Sequence, residues 1–206
     1  MNKIRKAFLV IMACAVMLLF SACGKDNTPF SHGSWSGNTY TSKYLGIKLQ
    51  LDSDWAATTD EFLAMGLGIP DMSESNIQTA FSKIGAITEM TATRSNGSYI
   101  SITVTDITYL ENVSEEDFSE EQYIENAIEL IKSEDDVPGF SIGAQKSAVD
   151  FLGKSTDCIE MSFSLNGQAM YELQIPIFKS HYIASISFNA YSKSELYTLP
   201  AMASAV

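Results

Sequence analysis

The sequence predicts an α+β fold, an antiparallel β-sheet of six to eight strands sandwiched by helices. Three observations point there. Four segments of alternating polarity, joined by short turns, occupy the C-terminal part of the chain. An Asn-Gly pair separates two further strand-like runs, and one long stretch repeats its apolar residues at helical spacing.

In "GIKLQLD", Ile47, Leu49 and Leu51 alternate with Lys48 and Gln50, the pattern of a half-buried strand. Asp52-Ser53-Asp54 then turns the chain ahead of Trp55. Thr58 and Glu61 have capping-box spacing before "DEFLAMG", with Gly66 or Gly68 as the stop. A second short helix is expected over Glu74 to Phe81. Ala86 to Arg94 and Ser98 to Ile107 flank Asn96-Gly97, a hairpin signal in which both turn residues take positive φ. Ile100, Ile102 and Val104 mark the buried face of the second of these strands.

The main amphipathic helix is "SEEQYIENAIELIK", where Ile124, Ala127, Ile128 and Ile131 fall at i, i+3, i+4 and i+7. Ser119 and Gln122 supply its capping box. After Pro138-Gly139 four strands follow: Gln145 to Leu152, Ser155 to Leu165, Gln168 to Phe178 and Tyr182 to Ala190. Their links are Gly153-Lys154, Asn166-Gly167 and Lys179 to His181, short enough for an antiparallel meander. Ile159, Met161, Phe163 and Leu165 share one face, as do Tyr182, Ala184, Ile186 and Phe188. Pro176 cannot donate to a ladder and belongs at an edge or bulge. Ser192 and Glu195 open a last helix toward Val206, which Pro200 bends or interrupts.

The chain starts with Lys3, Arg5 and Lys6, then an unbroken apolar run from Ala7 to Phe20, then Ser21, Ala22 and Cys23. This is the order of an export signal, and the run is too short for a comfortable membrane span of about 20 residues. Leu19-Phe20-Ser21-Ala22-Cys23 resembles the bacterial lipobox, departing from it in Phe20, where Leu is favoured. The resemblance implies that Cys23 is lipidated and becomes the mature N-terminus, anchored to the outer face of the cytoplasmic membrane. Two long acyl chains suffice for stable attachment, at about 0.8 kcal/mol per buried CH₂. Residues 1–22 are then the signal, 23–38 a Gly-, Ser- and Asn-rich flexible tether, and 39–206 a single domain. The tether would hold the domain about 20 to 25 Å from the bilayer.

Removal of the signal's three basic residues leaves the protein more negative than the −12 of the whole chain. That field disfavours nucleic acid and anionic head groups as partners. With Cys14 lost and Cys23 lipidated, Cys158 has no disulfide partner.

Trp35, Gly37, Tyr40, Tyr44, Gly46, Ile47, Leu49, Leu51 and Trp55 form a pattern that resembles small lipoproteins of Gram-positive bacteria similar to the PsbP family. The likeness in element order covers Thr39 to the C-terminus. Relatives commonly carry Pro before the Trp, where this chain has Asp52-Ser53-Asp54. The resemblance implies an antiparallel sheet sandwiched by helices, and it implies docking, since members of the fold include a photosystem II extrinsic subunit and a nuclear partner of the GTPase Ran. No residue motif of either is present, so no binding residue carries over.

Catalytic motifs are absent. The two histidines are His32 in the tether and His181 in a turn, and "GSWSG" puts Trp35 where a nucleophile elbow needs Ser. No H-E-x-x-H, C-x-x-C, calcium-loop or phosphate-loop pattern occurs, so no cofactor or metal is expected, although the acidic stretches "KSEDDVPG" and "LDSDW" leave weak calcium binding open. A glycosidase-type carboxylate pair on a cell-wall hydrolase needs only spacing in space and has no sequence signature. The expected function is a non-enzymatic docking module for another cell-envelope protein. The alternative is a ligand-binding lipoprotein for an oligosaccharide, peptide or small apolar solute. The candidate ligand-binding residues are Trp35, Tyr40, Tyr44 and Trp55, either an exposed aromatic platform or rings that pack beneath the sheet and pin the tether.

Overall fold

The computed structural model describes residues 28–109, 120–133, 140–165 and 168–206. The segment expected to be a signal, Cys23, Ser119, the expected turn residues Asn166 and Gly167, the side chain of Leu165 and all of the acidic stretch after Ser133 lie outside the described residues. Strands are β1 (Ser34–Ser36), β2 (Thr39–Ser42), β3 (Ile47–Gln50), β4 (Trp55–Ala57), β5 (Ala86–Arg94), β6 (Tyr99–Asp106), β7 (Phe140–Phe151), β8 (Lys154–Leu165), β9 (Gln168–Lys179), β10 (Tyr182–Ala190) and β11 (Ala203–Ala205). Helices are α1 (Asp60–Leu67), α2 (Glu74–Ile84), α3 (Glu120–Ser133) and α4 (Lys193–Leu196).

The class is α+β, but the strands form two antiparallel sheets rather than one: β1-β2-β3-β11, and β4-β5-β6-β10-β9-β8-β7. The smaller sheet exists because both ends of the domain contribute strands that were not expected. At the C-terminus, Ser192 does cap α4, its hydroxyl accepting from the Glu195 N–H at 3.3 Å. The helix lasts one turn, Pro200 sits in a 3-10 turn over Leu199–Met202, and β11 then pairs with β3 from Ala203↔Leu49 to Ala205↔Ile47. At the N-terminus, β1 pairs with β2, and Phe30 is fully buried. Residues from Phe30 onward are thus part of the fold and not of a tether.

Two local expectations also change. Helix α1 starts after Thr59 and not Thr58, whose hydroxyl meets that of Thr91 at 2.6 Å instead, so the capping box does not form. Its stop is Gly68, at φ 68. In the β5–β6 hairpin, the Arg94 N–H donates to the Ser98 carbonyl (2.7 Å) and the Gly97 N–H to the Arg94 carbonyl (2.9 Å). This is a three-residue loop, in which Gly97 alone has positive φ and the Asn96 side-chain oxygen accepts from the Ser98 N–H at 2.9 Å.

Along β10, Tyr182, Ala184, Ile186 and Phe188 enter one core cluster and Ile183 enters a second. The first takes Tyr40, Ile47 and Leu49 from the small sheet, Met90 and Ile102 from the large one, and Leu63, Ile77 and Phe81 from α1 and α2. The second joins Tyr123, Ile124, Ala127, Ile128 and Ile131 of α3 to Ile142, Ala144, Ile159, Met161 and Phe163. Each large apolar side chain so buried stabilises the fold by about 1.5 to 3 kcal/mol. Pro176 fits as expected, because the β8–β9 ladder ends at Ile159↔Gln174 and leaves that side of β9 unpaired beyond it.

Candidate functional site

The four aromatic residues do not form an exposed platform. Tyr40, Tyr44 and Trp55 are buried, and Trp35 is half-buried with its ring centroid 5.1 Å from that of Tyr40. Tyr44 packs edge-on against Phe30 at 5.2 Å, beneath the Lys179 ammonium at 4.8 Å. Arg94 lies 5.8 Å over Trp55, held by Asp54 at 2.7 Å and Glu195 at 3.0 Å. Alternation in β2 and β3 puts Tyr40, Ile47 and Leu49 on one face, and the large sheet and the first two helices cover that face.

Tyr40 leads to a group that sequence reasoning missed. The β5–β6 register slips between Thr88 and Met90, a bulge that aims Glu89 into the interior, where it has no solvent exposure. Its Oε1 accepts from the Tyr40 hydroxyl at 2.5 Å and from the Gly33 N–H at 3.1 Å. Oε2 has no hydrogen-bond partner, although the Ser42 hydroxyl is near enough to ease ionisation. Burial outweighs these contacts and pushes the carboxyl up to about 7. Burial, and then the charge of Glu89, also raise the Tyr40 phenol, which stays a neutral donor. Beside this group His32 contacts Asp60 at 3.3 Å through Nε2, while its Nδ1 is buried and unpartnered. The chemistry is that of a fastener: one carboxyl ties the segment before β1, and β2, to β5.

A second polar group crosses the other face of the large sheet. Tyr99, Asn189 and Glu172 stand opposite one another on β6, β10 and β9, with Ser101, Ser187 and Gln174 in the next row. Asn189 is fully buried, and neither its Oδ1 nor its Nδ2 has a partner. Burial pushes Glu172 up to about 7, against the easing effect of the Ser187 hydroxyl. Ser185, Ser187 and Asn189 alternate with apolar residues and read as a solvent face. The one hint otherwise is that no charged side chain stands among them.

Other chemistry-bearing side chains are tied into the fold. Glu160 accepts from Lys193 at 2.6 Å, from Tyr197 at 2.5 Å and from Gln145 at 3.3 Å, and although burial opposes it, these donors hold the carboxyl below its ordinary value. Cys158 is buried and unpaired, its thiol pushed up to about 12 by burial and then by the charges of Glu160 and Asp157. Ser180 Oγ lies 3.2 Å from His181 Nδ1, and His181 Nε2 lies 3.7 Å from Asp106, beyond hydrogen-bond reach. Among the described residues no three His, Cys, Asp or Glu side chains are placed to hold a metal ion.

No protein-family model matches this chain, and no curated protein matches it.

Proposed function

We propose that this chain is a lipid-anchored docking module, a helix-flanked sheet of PsbP-like fold that meets another cell-envelope protein outside the cytoplasmic membrane. The reading needs lipid on Cys23, and it needs no catalytic group. The observation that carries it is the contrast between interior and surface. Inside, Phe30 fills the space between Tyr44, Phe81 and Tyr182 at centroid distances of 5.2, 5.8 and 5.8 Å. Outside, large apolar side chains stand in water, led by Phe62 at 66% and Met65 at 67% exposure on α1. Paired exposed apolar side chains on one helix suit a protein partner better than they suit an isolated domain.

Cross-linking on the surface of intact cells, from a photoreactive residue at position 65, tests this. One dominant protein partner supports docking, and reproducible absence of any partner in cells rich in the protein rejects it. Cys23→Ala tests the anchor separately: it releases the chain from the membrane fraction, and full retention would sink the lipoprotein reading.

A second reading, ligand binding, is favoured by Asn189. Its unmet hydrogen bonds beside Glu172 and Ser187 match the hydroxyl or amide groups of an oligosaccharide or peptide, and because Asn189 has no solvent exposure such binding requires the residues that cover it to move aside. A thermal-shift screen of such compounds on wild type and Asn189→Leu tests it: stabilisation of the wild type alone supports the reading, and no stabilisation by any compound dismisses it.

A further inference from the structure

The two sheets have four edges, and three of them are very short. Strands β1, β4 and β11 have three residues each. The fourth edge is β7, with twelve. Long unpaired edges invite another strand, and folds usually blunt them by shortening, proline, a bulge or an outward charge. Strand β7 has no proline, and its ladder with β8 runs unbroken from Phe140↔Leu165 to Phe151↔Lys154. Among the described residues no strand pairs with its outer side. Gln145, Lys146, Ala148 and Asp150 are exposed along it. Lys146 does not guard the edge freely, since it reaches back to Asp157 at 3.0 Å and to Glu121 at 3.2 Å.

The geometry points to a second copy of this chain as the occupant, its β7 added antiparallel to this one about a two-fold axis perpendicular to the sheet. Such an axis keeps the same sheet face up in both copies, so residues of equal facing pair and the axis passes through one residue. Lys146 and Asp150 are the only charged residues of β7, and the register is taken from them although Lys146 also keeps its contacts to Asp157 and Glu121. With the axis at Ala148, Lys146 stands opposite Asp150 of the second copy, and Asp150 opposite its Lys146. With the axis at Lys146, two ammonium groups meet. Asp150 is exposed and has no ion pair within its own chain among the described residues, so it is available for this contact. Ala148 at the axis is small enough for close strand approach. The pairing extends the seven-stranded sheet into one of twice that width across two copies, and it depends neither on the anchor nor on the envelope partner.

The register makes the test specific. Directly opposed residues of antiparallel strands have Cα atoms about 4.5 to 5.5 Å apart, within the span of a disulfide. Mild oxidation of cells carrying the full chain with Ala148→Cys should therefore give a dimer on a non-reducing gel, linked 148 to 148 by mass spectrometry. Gln145→Cys should give none. For the purified full chain, Asp150→Lys should weaken self-association about tenfold, and adding Lys146→Asp should restore most of it. A monomer at all concentrations, a 148 cross-link to a different protein, or a dimer indifferent to both the cross-link register and the charge swap would each overturn the proposal.

Discussion

Glu89 and Glu172 lie on opposite faces of the seven-stranded sheet, and burial pushes both up to about 7, yet they are held in contrasting ways. The donors to Glu89 come from residues far away in the chain, Gly33 and Tyr40, so the carboxyl joins the N-terminal segment to β5. The hydroxyl that eases Glu172 is Ser187, on the adjoining strand β10, and its neighbour Asn189 is left with both amide atoms unpartnered. The same burial therefore accompanies a fastener on one face and, on the other, a polar row in which the Asn189 amide has no partner. What differs is whether a remote segment brings donors to the carboxyl.

The largest expected effect comes from pH, and it probes both sites at once. Each carboxyl titrates in the folded protein above its ordinary value of 4.5, so its contribution to stability is complete below that value and is lost as pH rises through about 7. Between pH 5 and pH 8 each should cost on the order of 2 kcal/mol. Urea unfolding at the two pH values measures the loss, and Glu89→Gln and Glu172→Gln should each remove about half of it. Should only one substitution flatten the profile, the likeness between the two sites fails.

Gly33→Ala attacks the fastener itself. A Cβ there would collide with the Tyr40 hydroxyl and lie 2.8 Å from the Thr41 carbonyl oxygen, so the segment must lift and both hydrogen bonds to Glu89 are lost. A destabilisation of about 3 kcal/mol is expected, together with faster amide exchange around Phe30 and β1. Unchanged exchange there would mean that the segment is held by something other than Glu89.

Tyr40→Phe is milder, at about 2 kcal/mol, and more damaging at pH 8 than at pH 5, because a hydrogen bond to a charged carboxylate is worth more than one to a neutral acid. The smallest change should come from Asn189→Leu. With nothing bound, replacing an unpartnered buried amide by an apolar side chain should stabilise the protein by about 1 kcal/mol. A loss of stability instead would show that Asn189 does have partners, and the contrast with Glu89 would narrow.

Much of the framework was legible in local patterns. The β7–β10 meander and the inward face of α3 follow from spacings of two and of three to four residues. Those spacings report which side of an isolated element is apolar, and Ile124, Ala127, Ile128 and Ile131 are all buried as that rule requires. The candidate sites were not legible. Tyr40, Tyr44 and Trp55 are aromatic wherever they sit, and nothing local distinguishes a platform from a core. Glu89 reads as an ordinary surface acid, and its burial depends on a bulge one residue long.

By itself, then, the amino-acid order determined α1 to α3, the strands β3, β5, β6 and β8 to β10, the second half of β7 and most of their inward faces, because hydrophobic periodicity acts over a few residues. Tertiary structure alone decided that Phe30 and Ala203–Ala205 belong to the fold, that polar Asn189 is buried, and that β7 is left as a twelve-residue edge. Each of those outcomes depends on what another part of the chain covers, pairs with or leaves open. Burial and edge pairing are properties of the assembled surfaces, and no single segment encodes them.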